Sequence, residues 1–290
     1  MNILCVLRTT VFSVVLSVAL LSGCGSSANA PKTTTAIAIK GSDTMVHIDT
    51  AWSEAYMLSH PDVDISVTGG GSGTGISALL GKSTDICASS RDMSAEEKKK
   101  AADQGITLQE TIVARDGIAL VVHPSNPISE LDMEQVQKIF TGAITQWEQV
   151  NGPAKPIVTL SRETSSGTYV FFQEHVLKKQ DFAASVRLMP ATATIIQSVS
   201  EDETAIGYVG LGYAIEAGAK VKLLSIKKDG ASPPVSPSED TVRTGSYSIA
   251  RPLYFYTGAT NNAPIAAFLA FCTGPDGQKI VKEAGYVPVN

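Results

Sequence analysis

The chain has 290 residues, 43% hydrophobic and 18% charged. That composition excludes a disordered or fibrous polymer and suits one large domain or two lobes of about 100–150 residues each. A formal charge of −5 excludes recruitment of nucleic acid or of an acidic membrane by overall charge, so any anion site has to be built locally.

Residues 1–23 read as an export signal. Arg8 supplies the positive start, and Val11–Leu21 is apolar except for Ser13 and Ser17, too short to span a bilayer. The stretch ends in Leu21-Ser22-Gly23-Cys24, which resembles the bacterial lipobox, where the cysteine is lipidated and the preceding chain removed. An ordinary signal peptide with an incidental cysteine is the alternative. Acyl chains such as palmitate on Cys24 would hold a soluble domain at a membrane surface. Residues 24–35 are small and polar and read as a flexible tether. Of the remaining cysteines, Cys87 and Cys272 lie in apolar surroundings (ICAS and LAFC) and read as buried thiols, although an exported protein permits a disulfide.

Strands alternate with helices along the rest of the chain, the pattern of α/β layers. AIAIK (36–40) is a strand, 46–59 a helix, DISVT (64–68) a strand, 75–80 the next helix and DICAS (85–89) a strand. Ser94-Ala-Glu-Glu opens a charged helix with a capping signature. Two strands follow, 108–114 and 117–123. Beyond them come a helix at 133–140, a strand at 157–160 and a helix at 166–176, with further pieces at 192–200, 205–208 and 220–224. ASPPVSPS (231–238) is a proline-rich loop, LYFY (253–256) a strand and 264–273 a terminal helix. The apolar strands GIALVVH and LYFY bracket about 130 residues, so the chain crosses twice between two lobes, 36–117 plus 253–290 and 118–252.

Three Gly/Ser/Thr-rich segments fall between an expected strand and an expected helix. They are Gly41-Ser42-Asp43-Thr44, Gly69 through Gly75 with Ser72 at its centre, and Thr164-Ser165-Ser166-Gly167-Thr168. Helix starts leave N–H groups unpaired and carry partial positive charge, and hydroxyls add donors. Each segment alone also reads as an ordinary helix cap; three together point to an oxyanion site. Ala88-Ser89-Ser90-Arg91-Asp92 is a fourth candidate segment. Arg162 stands four residues before Ser166, where a guanidinium can grip two oxygens of a tetrahedral anion; a surface ion pair with Glu163 is the bland reading. Asp43 either caps the following helix or accepts a proton carried by the ligand. Phosphate near neutral pH carries such a proton and sulfate does not, so an ionised Asp43 would favour the first and repel the second.

Other chemistries do not fit. Gly81-Lys82-Ser83 resembles the end of a P-loop, but the required glycine is Ile76, and neither GxGxxG nor GxSxG occurs around Gly69–Gly75. His47, His60, His123 and His175 have no metal-ligand spacing, no cofactor motif is present, and Lys98-Lys99-Lys100 reads as a solvated helix face.

GSDT, GGGSGTG, ASSRDM, FTGAITQW, SRETSSGTYVFF and AIGYVGLGYA, in that order over nearly all of the mature chain, resemble the phosphate-binding protein family of bacterial phosphate ABC importers. The resemblance implies a type II periplasmic-binding-protein fold, α/β, with two lobes joined by a two-strand hinge and one inorganic phosphate in the cleft. It further implies a non-enzymatic, monomeric lipoprotein on the extracytoplasmic side of a membrane, with a membrane permease as partner and no nucleic acid. Carried over residue by residue, the ligand set is Ser42, Asp43, Thr44, Ser72, Arg162, Ser166, Gly167 and Thr168. The pattern departs from the family at the third strand, where an aspartate is usual and Ser90 stands here, followed by Arg91. Asp43 is therefore expected to take over as proton acceptor, Ser90 to donate, and Arg91 either to touch the anion or to neutralise Asp43. Binding of another tetrahedral oxyanion by the same module is the alternative function.

Overall fold

The computed structural model describes residues 34–258 and 262–289. The expected signal segment, Cys24 and the tether as far as residue 33 lie outside the described residues. In chain order the first part contains β1 (Thr35–Gly41), α1 (Val46–Ser59), β2 (Val63–Thr68), α2 (Ser72–Leu80), β3 (Ile86–Ser89), α3 (Ala95–Asp103) and β4 (Leu108–Val122). Then come β5 (Glu130–Asp132), α4 (Met133–Phe140), β6 (Val158–Arg162), α5 (Gly167–Phe171) continued by a π-helical turn at Phe172–Val176, β7 (Arg187–Met189), α6 (Thr192–Glu201) and β8 (Ala205–Gly210). The last part holds α7 (Leu211–Ala217), β9 (Lys222–Leu223), β10 (Ser225–Lys227), α8 (Glu239–Arg243), β11 (Ala250–Gly258), α9 (Ala263–Thr273) and α10 (Pro275–Glu283). Among the described residues no helix is long and apolar enough to cross a membrane.

Helices α1 and α4 match the spans expected from their periodicity, and Ser94 closes a full capping box with Glu97 at the start of α3. Helix α2 begins three residues earlier than expected, because the glycine-rich segment turns helical at Ser72 rather than at Gly75. Strand β1 starts at Thr35, inside the expected tether, where it pairs with Val63 of β2.

Nine strands form one sheet in the order β2-β1-β3-β11-β4-β8-β6-β7, with β9 also on β4. Strands β1, β2 and β3 are parallel, as are β6, β7 and β8, while β11 runs antiparallel to both β3 and β4. The architecture turns on β4. Its first part, Leu108–Gly117, pairs with β11; its second, Ile118–Val122, pairs with β8. The sequence reading split this strand in two at the charged Arg115-Asp116 dipeptide. The strand is continuous because Asp116 lies opposite Arg251 in the β4–β11 ladder and pairs with it.

Separate cores lie on either side of this crossing. Trp52, Phe255 and Phe268 fill one, between α1, α9 and β11, and the indole of Trp52 donates to the Gly277 carbonyl at 2.8 Å. Phe140, Trp147, Phe172 and Tyr208 fill another, and Leu160 of β6 packs with Ile195 and Val199 of α6 in a third. Each such side chain contributes about 1.5–3 kcal/mol by leaving water. Cys87 and Cys272 are free thiols in two different clusters, so the two do not pair.

Candidate anion-binding site

The three glycine-rich turns and Ser90 converge at the inner end of the crossing strands. Ser42 follows β1 and is fixed there by its N–H, which donates to the Ala88 carbonyl at 2.8 Å. Ser72 is the first residue of α2 and Gly167 the first of α5, so their N–H groups have no intrahelical acceptor. Ser42, Thr44, Ser72, Ser90, Arg162, Ser166 and Thr168 are all buried, at 0–3% exposure. Seven buried polar residues drawn from distant parts of the chain are a costly arrangement unless each is hydrogen-bonded or meets a ligand.

The hydroxyls meet one another. Ser42 Oγ donates to Ser90 Oγ at 2.9 Å, Ser72 Oγ lies 3.3 Å from Ser90 Oγ, and Ser72 Oγ accepts the Ser90 N–H at 3.0 Å. Thr44 and Thr168 hydroxyls are 2.8 Å apart. Ser166 Oγ accepts the N–H groups of Thr168 and Tyr169 at 3.2 and 3.4 Å. The lone pairs of Ser166 Oγ thus cap the helix, and its own proton is left for another acceptor.

The two halves are in direct contact. Gly73 N–H donates to the Ser165 carbonyl at 3.0 Å and Ser165 Oγ to the Gly70 carbonyl at 3.2 Å. Gly71 adopts φ +103°, and a Cβ there would stand 2.5 Å from the Ser165 oxygen, so only glycine serves. Tyr213 reaches across from α7 to donate to the Asp43 carbonyl at 2.9 Å.

Asp43 and Arg162 pair with each other. Asp43 Oδ2 accepts from Arg162 Nη1 at 2.9 Å, from the Thr192 N–H at 2.8 Å and from Thr192 Oγ1 at 2.7 Å. Arg162 also donates to Thr192 Oγ1 at 2.8 Å, to the Pro190 carbonyl at 2.9 Å and to the Met189 carbonyl at 3.3 Å. A guanidinium has five N–H donors; these bonds use four and leave one on Nη2. The two-point grip on an anion expected of Arg162 is thus taken up by the protein. All of these bonds go to Oδ2, and Asp43 Oδ1 has no partner among the described residues.

Arg91 is placed elsewhere. Its Nη1 and Nη2 bind Glu97 at 2.8 and 2.7 Å, and Nη1 also binds the Asp92 carbonyl at 2.8 Å. The hydrogen bond to Glu97 holds the Arg91 pKa above its ordinary value despite partial burial. The side chain that meets Asp43 is Arg162, and the role given to Arg91 on sequence grounds is corrected accordingly: a bidentate carboxylate six residues along the chain outcompetes the site.

Sequence reading missed Thr192, Asp116, Tyr213 and Arg251. Arg251 Nη2 donates to Thr168 Oγ1 at 2.9 Å and Asp116 Oδ2 at 3.1 Å, and reaches Thr44 Oγ1 at 3.4 Å. None lies in a Gly/Ser/Thr turn. The one available signal was the acid–base dipeptide Arg115-Asp116 in the middle of an apolar run.

Known proteins resemble this chain over most of its length. A family model described as a PBP superfamily domain matches residues 26–276. The phosphate-binding protein PstS of Staphylococcus saprophyticus is 34% identical over 276 residues, covering 92% of this chain and 85% of its own. PstS of Pseudomonas aeruginosa is 33% identical over 267 residues, covering 86% and 81%. Among solved structures, a substrate-binding protein assigned to a phosphate ABC transporter of Clostridium perfringens, with bound phosphate, superposes with a TM-score of 0.81 at 30% identity, over 88% of this chain and 100% of that one. An ABC-type phosphate transport receptor from Vibrio cholerae gives 0.70 at 28% identity, over 87% and 99%. The mixed α/β sheet with its two crossing strands is the type II periplasmic-binding-protein fold. The chain therefore belongs to the PBP superfamily and, within it, to the family of the phosphate-binding proteins PstS.

Proposed function

We propose that this protein binds one inorganic phosphate outside the cytoplasm and delivers it to the membrane permease of a phosphate ABC importer, without chemistry on the ligand. The observation that carries the reading is the convergence of Ser42, Thr44, Ser72, Ser90, Ser166 and Thr168 with the first N–H groups of α2 and α5 on one buried point. That set is rich in donors, and its one carboxylate, Asp43, offers a single free oxygen to a P–OH group.

The lobes in this reading are residues 36–117 plus 253–290 and residues 118–252, hinged at β4 and β11. Ser42, Asp43, Thr44, Ser72 and Ser90 bind from the first. Arg162, through its remaining Nη2 proton, and Ser166, Gly167 and Thr168 bind from the second. Only the closed form uses every donor, so phosphate shifts the population toward closure. Cys24 carries the lipid that tethers a monomer to the membrane surface.

The test is calorimetric titration with phosphate, sulfate and molybdate, using a soluble chain beginning at Gly25 that has been unfolded and refolded to strip ligand. One-to-one phosphate binding without sulfate heat is expected, and Asp43→Asn should weaken phosphate binding and admit sulfate. Heat from another oxyanion but none from phosphate would keep the fold and overturn the substrate.

A further inference from the structure

Arg251 is the second residue of β11, beside the crossing point, and Asp116 faces it on β4. Arg251 is 3% and Asp116 0% exposed. The second carboxylate oxygen of Asp116 accepts the Leu211 N–H at the start of α7, at 3.0 Å. Burial lowers the Arg251 pKa and raises that of Asp116, each opposed by the charge of the other. Nε and Nη1 of Arg251 are buried without a hydrogen-bond partner, and the guanidinium lies 5.6 Å over the Phe171 ring. A pair that served stability alone would not leave two charged donors unspent under a polar site.

We propose, resting on the phosphate reading above, that Arg251 is a positioning residue of the site: it holds the Thr168 hydroxyl, paired with that of Thr44, as a donor toward the anion and adds a second buried positive charge. The argument is one of hydrogen-bond capacity. A threonine hydroxyl has one proton and two lone pairs. Thr44 and Thr168 lie within hydrogen-bond distance of each other and both face Arg251 Nη2. Nη2 has two protons, and its shortest contacts give them to Thr168 and Asp116; with Thr44 as the donor within the pair, the Thr168 oxygen accepts from both Thr44 and Arg251. Its lone pairs are spent, and its proton points outward as a donor. Without the guanidinium a lone pair is released, and the hydroxyl can turn and present an acceptor, which repels an ionised oxygen. Arg251 and Asp116 both sit on crossing strands, whereas Thr44 follows β1 and Thr168 lies in α5. The pair is a fixed point that one threonine from each half reaches together in the closed form.

Removing either charge alone strands the other in the interior, so the test removes both, as Asp116→Asn with Arg251→Met. The folded state is checked by near-ultraviolet circular dichroism and phosphate affinity is measured by calorimetry. The double variant should bind phosphate about tenfold or more weakly, the cost of about one charged hydrogen bond. Adding Thr168→Val to it should cost little more, because in the wild type the two act as one unit. Losses that multiply, or unchanged affinity in the double variant, would overturn the proposal. If that variant does not fold, Arg251→Lys serves: it keeps the charge, but its shorter side chain stops short of the Nη2 position from which Thr168, Asp116 and Thr44 are all reached. Weakened affinity at an unchanged melting temperature is then expected, and wild-type affinity would refute the role. Failure of the unmutated chain to bind phosphate would instead remove the phosphate reading itself.

Discussion

Gly167→Ala puts the closure mechanism to a direct test. A Cβ at this position would lie 2.2 Å from Ser72 Oγ, 2.7 Å from Ser90 Oγ and 2.9 Å from Ser72 Cβ. Ordinary carbon contacts are about 3.5–4.0 Å, and turning the serine hydroxyl does not help, because the Ser72 Cβ is itself too near. Helices α2 and α5 must therefore back away from each other. Overpacking of this kind costs about 1–3 kcal/mol, a factor of about 5–150 in the closing equilibrium. In an open form the contact is absent, and alanine in the first turn of a helix is tolerated. The melting temperature without ligand should thus hold or rise slightly, while phosphate affinity falls by that factor. Small-angle scattering should show the variant expanded at a phosphate concentration that compacts the wild type. Wild-type affinity together with full compaction would refute the reasoning.

Thr192→Val removes one hydroxyl that both donates to Asp43 and accepts from Arg162. Phosphate affinity should fall by roughly tenfold or more, as for a hydrogen bond to a charged group, and an unaltered calorimetric Kd would show that the pair does not organise the site. Arg91→Ala should leave phosphate affinity within about twofold of wild type, since its guanidinium is held by Glu97; a large loss would restore Arg91 to the ligand set. Asp49 is 1% exposed on α1, its Oδ1 has no partner, and burial raises its pKa well above the usual carboxylate value. The folded state holds this proton more tightly than the unfolded chain, so stability declines as pH rises above about 4, the unfolded value. Asp49→Asn should accordingly raise the melting temperature at pH 7, with the gain shrinking as pH falls toward 4; a gain independent of pH would exclude this origin.

Much of the candidate site was legible before the fold. Ser42, Thr44, Ser72, Ser90, Ser166, Gly167 and Thr168 sit on short turns between a strand and a helix, and the local chemistry of such turns already selects for anion binding. What could not be read was the partner of each charge. On sequence alone Arg162 reads as a two-point anion clamp. Asp43, Thr192 and two carbonyls take four of its five protons, and Asp43 is 119 residues away in sequence. Arg91 lies next to Ser90 in sequence but points to Glu97. Adjacency along a chain does not fix the direction of a long side chain, whereas a carboxylate one helical turn beyond a cap does.

The sequence alone determined those elements that local forces set: periodicity fixed α1 and α4, and the capping box at Ser94 fixed the start of α3. The order of the glycine-rich turns was enough to place the family. Tertiary structure decided the continuity of β4 through Asp116, the separation of Cys87 from Cys272, and the presence of Arg251 beneath the threonines. A buried ion pair is stable only when both partners leave water together. No window of sequence contains both Asp116 and Arg251, which stand 135 residues apart and meet only across the β4–β11 ladder.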